Sequence, residues 1–221
     1  MTRPPRGSGT CWIFDLDGTV VDSERRFLLA YNDTLGPAGH DCVTLEEFRH
    51  RSRHGRLLLD LDLPGADGAL LWDEVMQRFV DGRGLSTVLP RAREALDLLR
   101  SEGTRAALVT GRVDSVALLE DELRALGLDG VFALVATATT VRLVEGRRQT
   151  KAELFAQVTA SLRVAAESSV YVTDWPFDLL DAHAHGFGWC VGVETGGFHR
   201  DDFPDLPRVH TAASVAELVF G

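Results

Sequence analysis

Short apolar runs alternate along the chain with amphipathic stretches, the pattern of strands joined by crossover helices in a parallel sheet. The runs predict strands at Thr10 to Phe14, Ala106 to Val109, Ala133 to Ala136, Val170 to Val172 and Trp189 to Val193, with a short edge strand near Val209. Between them, Ala92, Ala95, Leu96 and Leu99 recur at helical spacing behind Pro90, which suits a helix start, and Glu102-Gly103 stops the pattern. Ser115 to Leu126, Lys151 to Leu162 and Phe177 to His185 read as helices in the same way.

One segment breaks the alternation. From about Ser23 to Leu89 there is no convincing buried strand, but helical patterns run over Glu24 to Leu35, Leu45 to Arg51 and Ala69 to Val80. Gly36-Pro37-Ala38-Gly39 and Leu63-Pro64-Gly65 separate them. The expected fold is therefore α/β, a Rossmann-like parallel-sheet core formed by residues 1–22 and 89–221, with an inserted helical lobe over 23–88. Helices that merely cover one sheet face would give a similar pattern.

Composition narrows the partners. A chain of 221 residues with 45% hydrophobic content can bury a sizeable core, and a formal net charge of -10 opposes nonspecific attraction to nucleic acid or anionic membranes. Cys11, Cys42 and Cys190 are odd in number and lack metal-ligand spacing, which favours free thiols in a reducing compartment. No apolar run approaches membrane-spanning length, and Met1 to Gly9 lacks the apolar stretch of a signal peptide. A cytoplasmic protein with a frayed N-terminus is expected.

The first strand runs into Asp15-Leu16-Asp17-Gly18-Thr19. On an extended strand residues i and i+2 share a face, so Asp15 and Asp17 would point into one small volume. A cation can relieve that crowding, and such a pair can serve as nucleophile and acid/base; Asp-Gly also fits an ordinary surface turn. At other strand ends stand Thr110-Gly111, a hydroxyl and backbone N–H groups able to cradle a phosphoryl group, and Asp174 with Asp178 four residues on. Hard cations want such oxygen ligands, although Asp174 could equally cap the following helix. Lys151 is the only lysine in a chain whose other basic side chains are arginine. Its compact charge suits a confined site between a carboxylate and a phosphoryl group, and a solvated helix-start lysine is the plainer alternative. All these residues fall where open α/β sheets build their sites.

The ordered set Asp-x-Asp-Gly-Thr, Thr-Gly, Lys and Asp-x-x-x-Asp resembles the haloacid dehalogenase-like (HAD) hydrolase superfamily over nearly the whole chain, and the helical insertion looks like its type C1 cap. The resemblance implies a phosphatase with Asp15 as nucleophile and Asp17 as acid and then base. It implies Mg²⁺ held by the Asp15 carboxylate, the Asp17 main-chain carbonyl and Asp174, with Asp178 orienting a ligand water. Thr110, the Gly111 N–H and Lys151 would bind the phosphoryl oxygens, and the substrate would be a small phosphorylated metabolite. A dehalogenase lacks the second aspartate, and no lysine lies in the cap region to form a phosphonatase Schiff base. A phosphomutase, or a catalytically silent HAD-like binding protein, remains an alternative.

Thr173, Ala152 and Trp175 depart from the glycine, proline and small polar residue common at these positions in the family. Substrate choice is expected in the cap, where the turn Arg53-His54-Gly55-Arg56 offers Arg53 and Arg56 to an anionic ligand; a solvated basic loop would look the same.

Overall fold

The protein is described by a computed structural model covering residues 3–54, 56–57, 65–138 and 151–221. Two compact units emerge, Met1–Asp22 with Val88–Gly221, and Ser23–Thr87. The first holds a six-stranded parallel sheet, β1 (Cys11–Phe14), β4 (Arg105–Thr110), β5 (Leu134–Thr137), β6 (Ser169–Thr173), β7 (Trp189–Val193) and β8 (Val209–Ala212), in the order β5-β4-β1-β6-β7-β8. The chain steps outward from β1 through β4 to β5, then crosses to β6 on the other side and steps outward again. The carboxyl ends of β1, β4 and β6 therefore meet where the strand order reverses, the usual place for a site in an open parallel sheet.

β1 is apolar throughout because both of its faces are covered. Trp12 and Phe14 pack under α4 (Ala92–Ser101), α5 (Val116–Ala125) and α8 (Val215–Phe220), while Cys11 and Ile13 pack under α6 (Ala152–Leu162) and α7 (Pro176–His185). The register pairs Phe14 with Leu108 on one side and Val172 on the other, so β1 ends two residues short of the end of β4 and one short of the end of β6.

Two short strands, β2 (Val21–Asp22) and β3 (Thr87–Val88), pair as a small sheet of their own. The second unit comprises α1 (Glu24–Leu35), α2 (Leu45–Arg53) and α3 (Gly65–Asp81) around Tyr31, Leu35, Val43, Phe48, Leu71 and Val75. Thr44 starts α2 with a capping box: its hydroxyl accepts from the Glu47 N–H at 3.2 Å and Glu47 accepts from the Thr44 N–H at 2.7 Å. Arg26 is fully buried here because its guanidinium finds the carbonyls of Phe79 and Val80 and the Ser86 hydroxyl, and lies 4.0 Å over the Phe79 ring.

Several sequence expectations are corrected. Pro90 does not open α4; Arg91 intervenes in the left-handed conformation (φ 60°), and the helix begins at Ala92. Gly65 begins α3 rather than ending a break, while Leu63 and Pro64 lie outside the described residues. Lys151 is the residue before α6, not its first turn. β2, β3 and α8 were not expected, being too short to show periodicity. The expected fraying near the start is also overturned for residues 3–9. The Trp12 indole donates to the Pro5 carbonyl at 2.9 Å, the Gly7 N–H to Thr104 Oγ1 at 2.7 Å, and Arg6 to the carbonyls of Leu218 and Val219. Met1 and Thr2 lie outside the described residues.

Among the described residues no helix is long and apolar enough to cross a membrane. The three cysteines are free; Cys42 is exposed, whereas burial pushes the Cys11 and Cys190 thiols up to about 11. Thiolate is the reactive form. A thiol reagent at neutral pH should therefore modify Cys42 alone in the native protein and all three cysteines in denaturant; rapid native labelling of Cys11 or Cys190 would contradict the packing of β1 and β7.

Candidate active site

β1 ends one residue before Asp15, whose N–H still donates to the Val172 carbonyl at 2.8 Å and so extends the pairing with β6. Beyond it the chain turns tightly: Leu16 is fully buried, its carbonyl accepts from the N–H groups of Val20 and Val21, and Gly18 takes φ 73°. Leu16 joins the same apolar cluster as Trp12 and Phe14, while Asp15 and Asp17 on either side of it pair with different cations.

Asp15 is 7% exposed and makes an ion pair with Lys151, Nζ to Oδ1 2.7 Å. Lys151 is also 2.5 Å from Asp178 Oδ2, with the Tyr171 hydroxyl 3.3 Å from both Nζ and that oxygen. The Thr173 hydroxyl donates to the same Asp178 oxygen at 3.3 Å and accepts from the Trp175 N–H at 3.1 Å, which gives this unusual β-branched residue a local use. Burial is the largest influence on Asp15 and pushes its carboxyl up to about 6 against the pull of Lys151. Burial works to lower Lys151 as well, but Asp15 and Asp178 outweigh it, and the ammonium is held well above its usual value.

Asp174 follows β6 and is equally buried, at 7% exposure. Thr19 grips it twice, donating to Oδ1 at 3.0 Å and accepting from its N–H at 2.8 Å. A Cβ on Gly18 or Gly196 would stand 2.3 Å or 1.7 Å from Asp174 Oδ2, so both positions must lack a side chain for the carboxylate to fit. Thr195 ties the two glycine-bearing loops by donating to the Gly18 carbonyl at 2.5 Å. Burial and the charge of Asp15 raise the Asp174 carboxyl well above its usual range.

Asp17 meets a different cation. Arg112 Nε and Nη2 donate to its two carboxylate oxygens at 2.7 and 2.6 Å, while Nη1 donates to Glu122 Oε2 at 2.7 Å. The side chains of Arg112 and Glu122 are each 2% exposed, that of Asp17 28%. Burial alone would lower the guanidinium's proton affinity; the two carboxylates outweigh it and raise it. Thr110 is buried at the end of β4, its hydroxyl accepting from the Arg112 N–H at 3.2 Å, and Gly111 is exposed.

Asp15, Asp17, Thr110, Gly111, Lys151, Asp174 and Asp178 thus lie on the sheet-bearing unit at strand ends and the helix starts beside them. Arg53 closes α2 and Arg56 is exposed just beyond it, both on the helical unit; Gly55 lies outside the described residues. Asp178 stands on the lysine side of the site. Arg112 and Glu122 were missed by the sequence reading, as was the anchoring role of Thr19. Arg112 directly follows Thr110-Gly111, which was the one available signal.

A family model described as haloacid dehalogenase-like hydrolase matches residues 11–186. The chain belongs to the haloacid dehalogenase-like hydrolases. Among curated relatives it is 30% identical over 198 residues to a phosphoglycolate phosphatase of Pseudomonas syringae pv. tomato, spanning 85% of this chain and 70% of that protein. It is 27% identical over 231 residues to the tyrosine-protein kinase PtkA of Mycobacterium tuberculosis, spanning 93% and 70%. A Bacteroides fragilis structure assigned to the haloacid dehalogenase-like hydrolases shares the fold with a TM-score of 0.79 at 17% identity, covering 95% of this chain and 99% of that one.

A divalent metal fits the HAD-like site. Asp15 and Asp174 present hard oxygen donors, and their mutual repulsion is what a cation would remove. Among the described residues no three His, Cys, Asp or Glu side chains are grouped to hold a metal ion; Mg²⁺ is usually held by only one or two carboxylates with waters. Asp174→Asn removes one of two repelling buried carboxylates. With EDTA present the variant should melt above the wild type, by about 2–4 °C for each kcal/mol relieved. Thermal unfolding would check this, and a lower melting temperature would count against the repulsion.

Proposed function

We propose that the protein is a Mg²⁺-dependent phosphomonoester hydrolase acting on a small phosphorylated metabolite. The observation that carries this reading is the buried Asp15 carboxylate held 2.7 Å from the Lys151 ammonium, with the equally buried Asp174 near enough for the charge of Asp15 to raise its carboxyl. The naming of several curated relatives as phosphoglycolate phosphatases favours hydrolysis over phosphomutase chemistry. It also makes phosphoglycolate the first ester to test.

In this mechanism Asp15 attacks phosphorus in line, forming the Asp15–phosphorus bond as the bond to the ester oxygen breaks. Asp17, protonated as the step begins, gives that oxygen its proton and is left as the carboxylate that Arg112 pairs with; it then takes a proton from the water that attacks the aspartyl-phosphate, which returns Asp15 and releases phosphate. Lys151 holds Asp15 and faces the transferring group, and Thr110 with the Gly111 N–H receives phosphoryl oxygens. Mg²⁺, held by the Asp15 and Asp174 carboxylates and the Asp17 main-chain oxygen, would offset phosphoryl charge. Asp178, ion-paired to Lys151, fixes the ammonium between two carboxylates. The helical unit acts as the specificity cap, with Arg53 and Arg56 reading the anionic remainder of the substrate.

Purified protein with Mg²⁺ should release phosphate from 4-nitrophenyl phosphate and from members of a phosphorylated-metabolite panel. Asp15→Asn should lose at least about 10³-fold in kcat. A folded wild-type protein inert across that panel would overturn the reading. Arg53→Ala or Arg56→Ala should cost about tenfold or more in kcat/KM on the preferred metabolite while the aryl ester loses far less, since charge-assisted contacts to a carboxylate or phosphate are worth about 1.5–3 kcal/mol. Equal losses on both esters would remove the arginines from substrate selection.

A further inference from the structure

Arg112 lies outside the residues given a contact with the transferring group, yet its buried guanidinium is held by two carboxylates beside them. Its guanidinium grips both oxygens of Asp17 and is braced from behind by Glu122, all three side chains belonging to the sheet-bearing unit. A two-pronged guanidinium–carboxylate pair fixes the plane of the carboxylate as well as its position. The brace is itself buried, so the fork has no easy alternative pose. The backbone adds a second restraint: the Arg112 N–H donates to Thr110 Oγ1 at 3.2 Å and its carbonyl accepts from the Ala138 N–H at 2.9 Å. Orientation of Asp17 is therefore coupled to the loop that carries the phosphoryl cradle.

We infer that Arg112, braced by Glu122, is a positioning residue that sets the angle at which Asp17 meets the leaving oxygen. The inference rests on the reading of Asp17 as the group that serves that oxygen. It bears on substrate class, because only some esters need that service. An alkoxide leaves poorly without a proton, whereas 4-nitrophenolate leaves readily on its own. A misaligned Asp17 therefore penalises alkyl phosphates more than aryl phosphates. The parameter to read is kcat/KM, which extends only through formation of the aspartyl-phosphate and so excludes the later hydrolytic step.

The experiment compares phosphoglycolate, or β-glycerophosphate where phosphoglycolate is not turned over, with 4-nitrophenyl phosphate in wild type, Arg112→Lys, Arg112→Met combined with Glu122→Gln, and Asp17→Asn. Lysine keeps the charge and loses the fork, and the double variant leaves no buried Glu122 charge without its partner. Positioned proton transfer contributes about 10²–10⁴-fold. The ratio of alkyl to aryl kcat/KM should accordingly fall by at least about tenfold in Arg112→Lys, in the double variant and in Asp17→Asn. Thermal melts establish that each variant is folded, and Arg112→Lys decides alone if the double variant is not. An unchanged ratio in Arg112→Lys, or equal losses on both esters, overturns the positioning role. An unchanged ratio in Asp17→Asn with an active wild type instead overturns the role given to Asp17, and an inert wild type overturns the phosphatase reading.

Discussion

Concentrated negative charge at the carboxyl ends of two neighbouring parallel strands, β1 and β6, is the constraint on which this molecule depends. Asp15 and Asp174 are both buried and the charge of one acts on the other, Asp178 stands across Lys151 from Asp15, and Asp17 lies within the same loop as Asp15. Ionised groups so enclosed are costly unless each has a partner. The chain supplies two cations from different elements, Lys151 ahead of α6 for Asp15 and Asp178 and Arg112 after β4 for Asp17, while Asp174 is held by Thr19. That division gives the two aspartates of one short loop different environments, which is how neighbouring carboxyls come to do different work.

The scaffold makes the crowding possible. Parallel pairing of β1 with both β4 and β6 brings three carboxyl ends side by side, and the small residues Gly18 and Gly196 let loops approach the Asp174 carboxylate more closely than any side chain would allow. Thr19 then serves as a two-way anchor between the first loop and the end of β6. These contacts span 155 residues of sequence, so the site is a property of the completed sheet and not of any one segment.

Much of this was legible from residue order. The apolar run from Thr10 to Phe14 marked the first strand, and Asp15, Thr110, Lys151 and Asp174 were expected at strand ends or before helices, which is where they lie. The lone lysine stood out by composition. Partnership across the fold was not legible: Arg112 and Asp17 are 95 residues apart, and nothing in spacing tells a guanidinium which carboxylate it will meet. The ordering of residues 3–9 escaped notice for a similar reason, because it rests largely on backbone acceptors of distant elements. α8 is too short to display a period, and the left-handed Arg91 defeats the rule that proline opens a helix.

The central place of β1 also governs how the sheet can be assembled. Its partners arrive late: Arg105–Thr110 on one side and Ser169–Thr173 on the other. Until the later of them is in place, an edge of the wholly apolar Cys11–Phe14 segment has backbone groups open to any extended chain that comes near. Pairings this distant in sequence are slow to form, because loop closure must precede the contacts that reward it. The intervening helical unit has its own apolar centre and is able to gather during that interval. Folding yield, as well as the stability of the finished molecule, is therefore exposed to changes in β6.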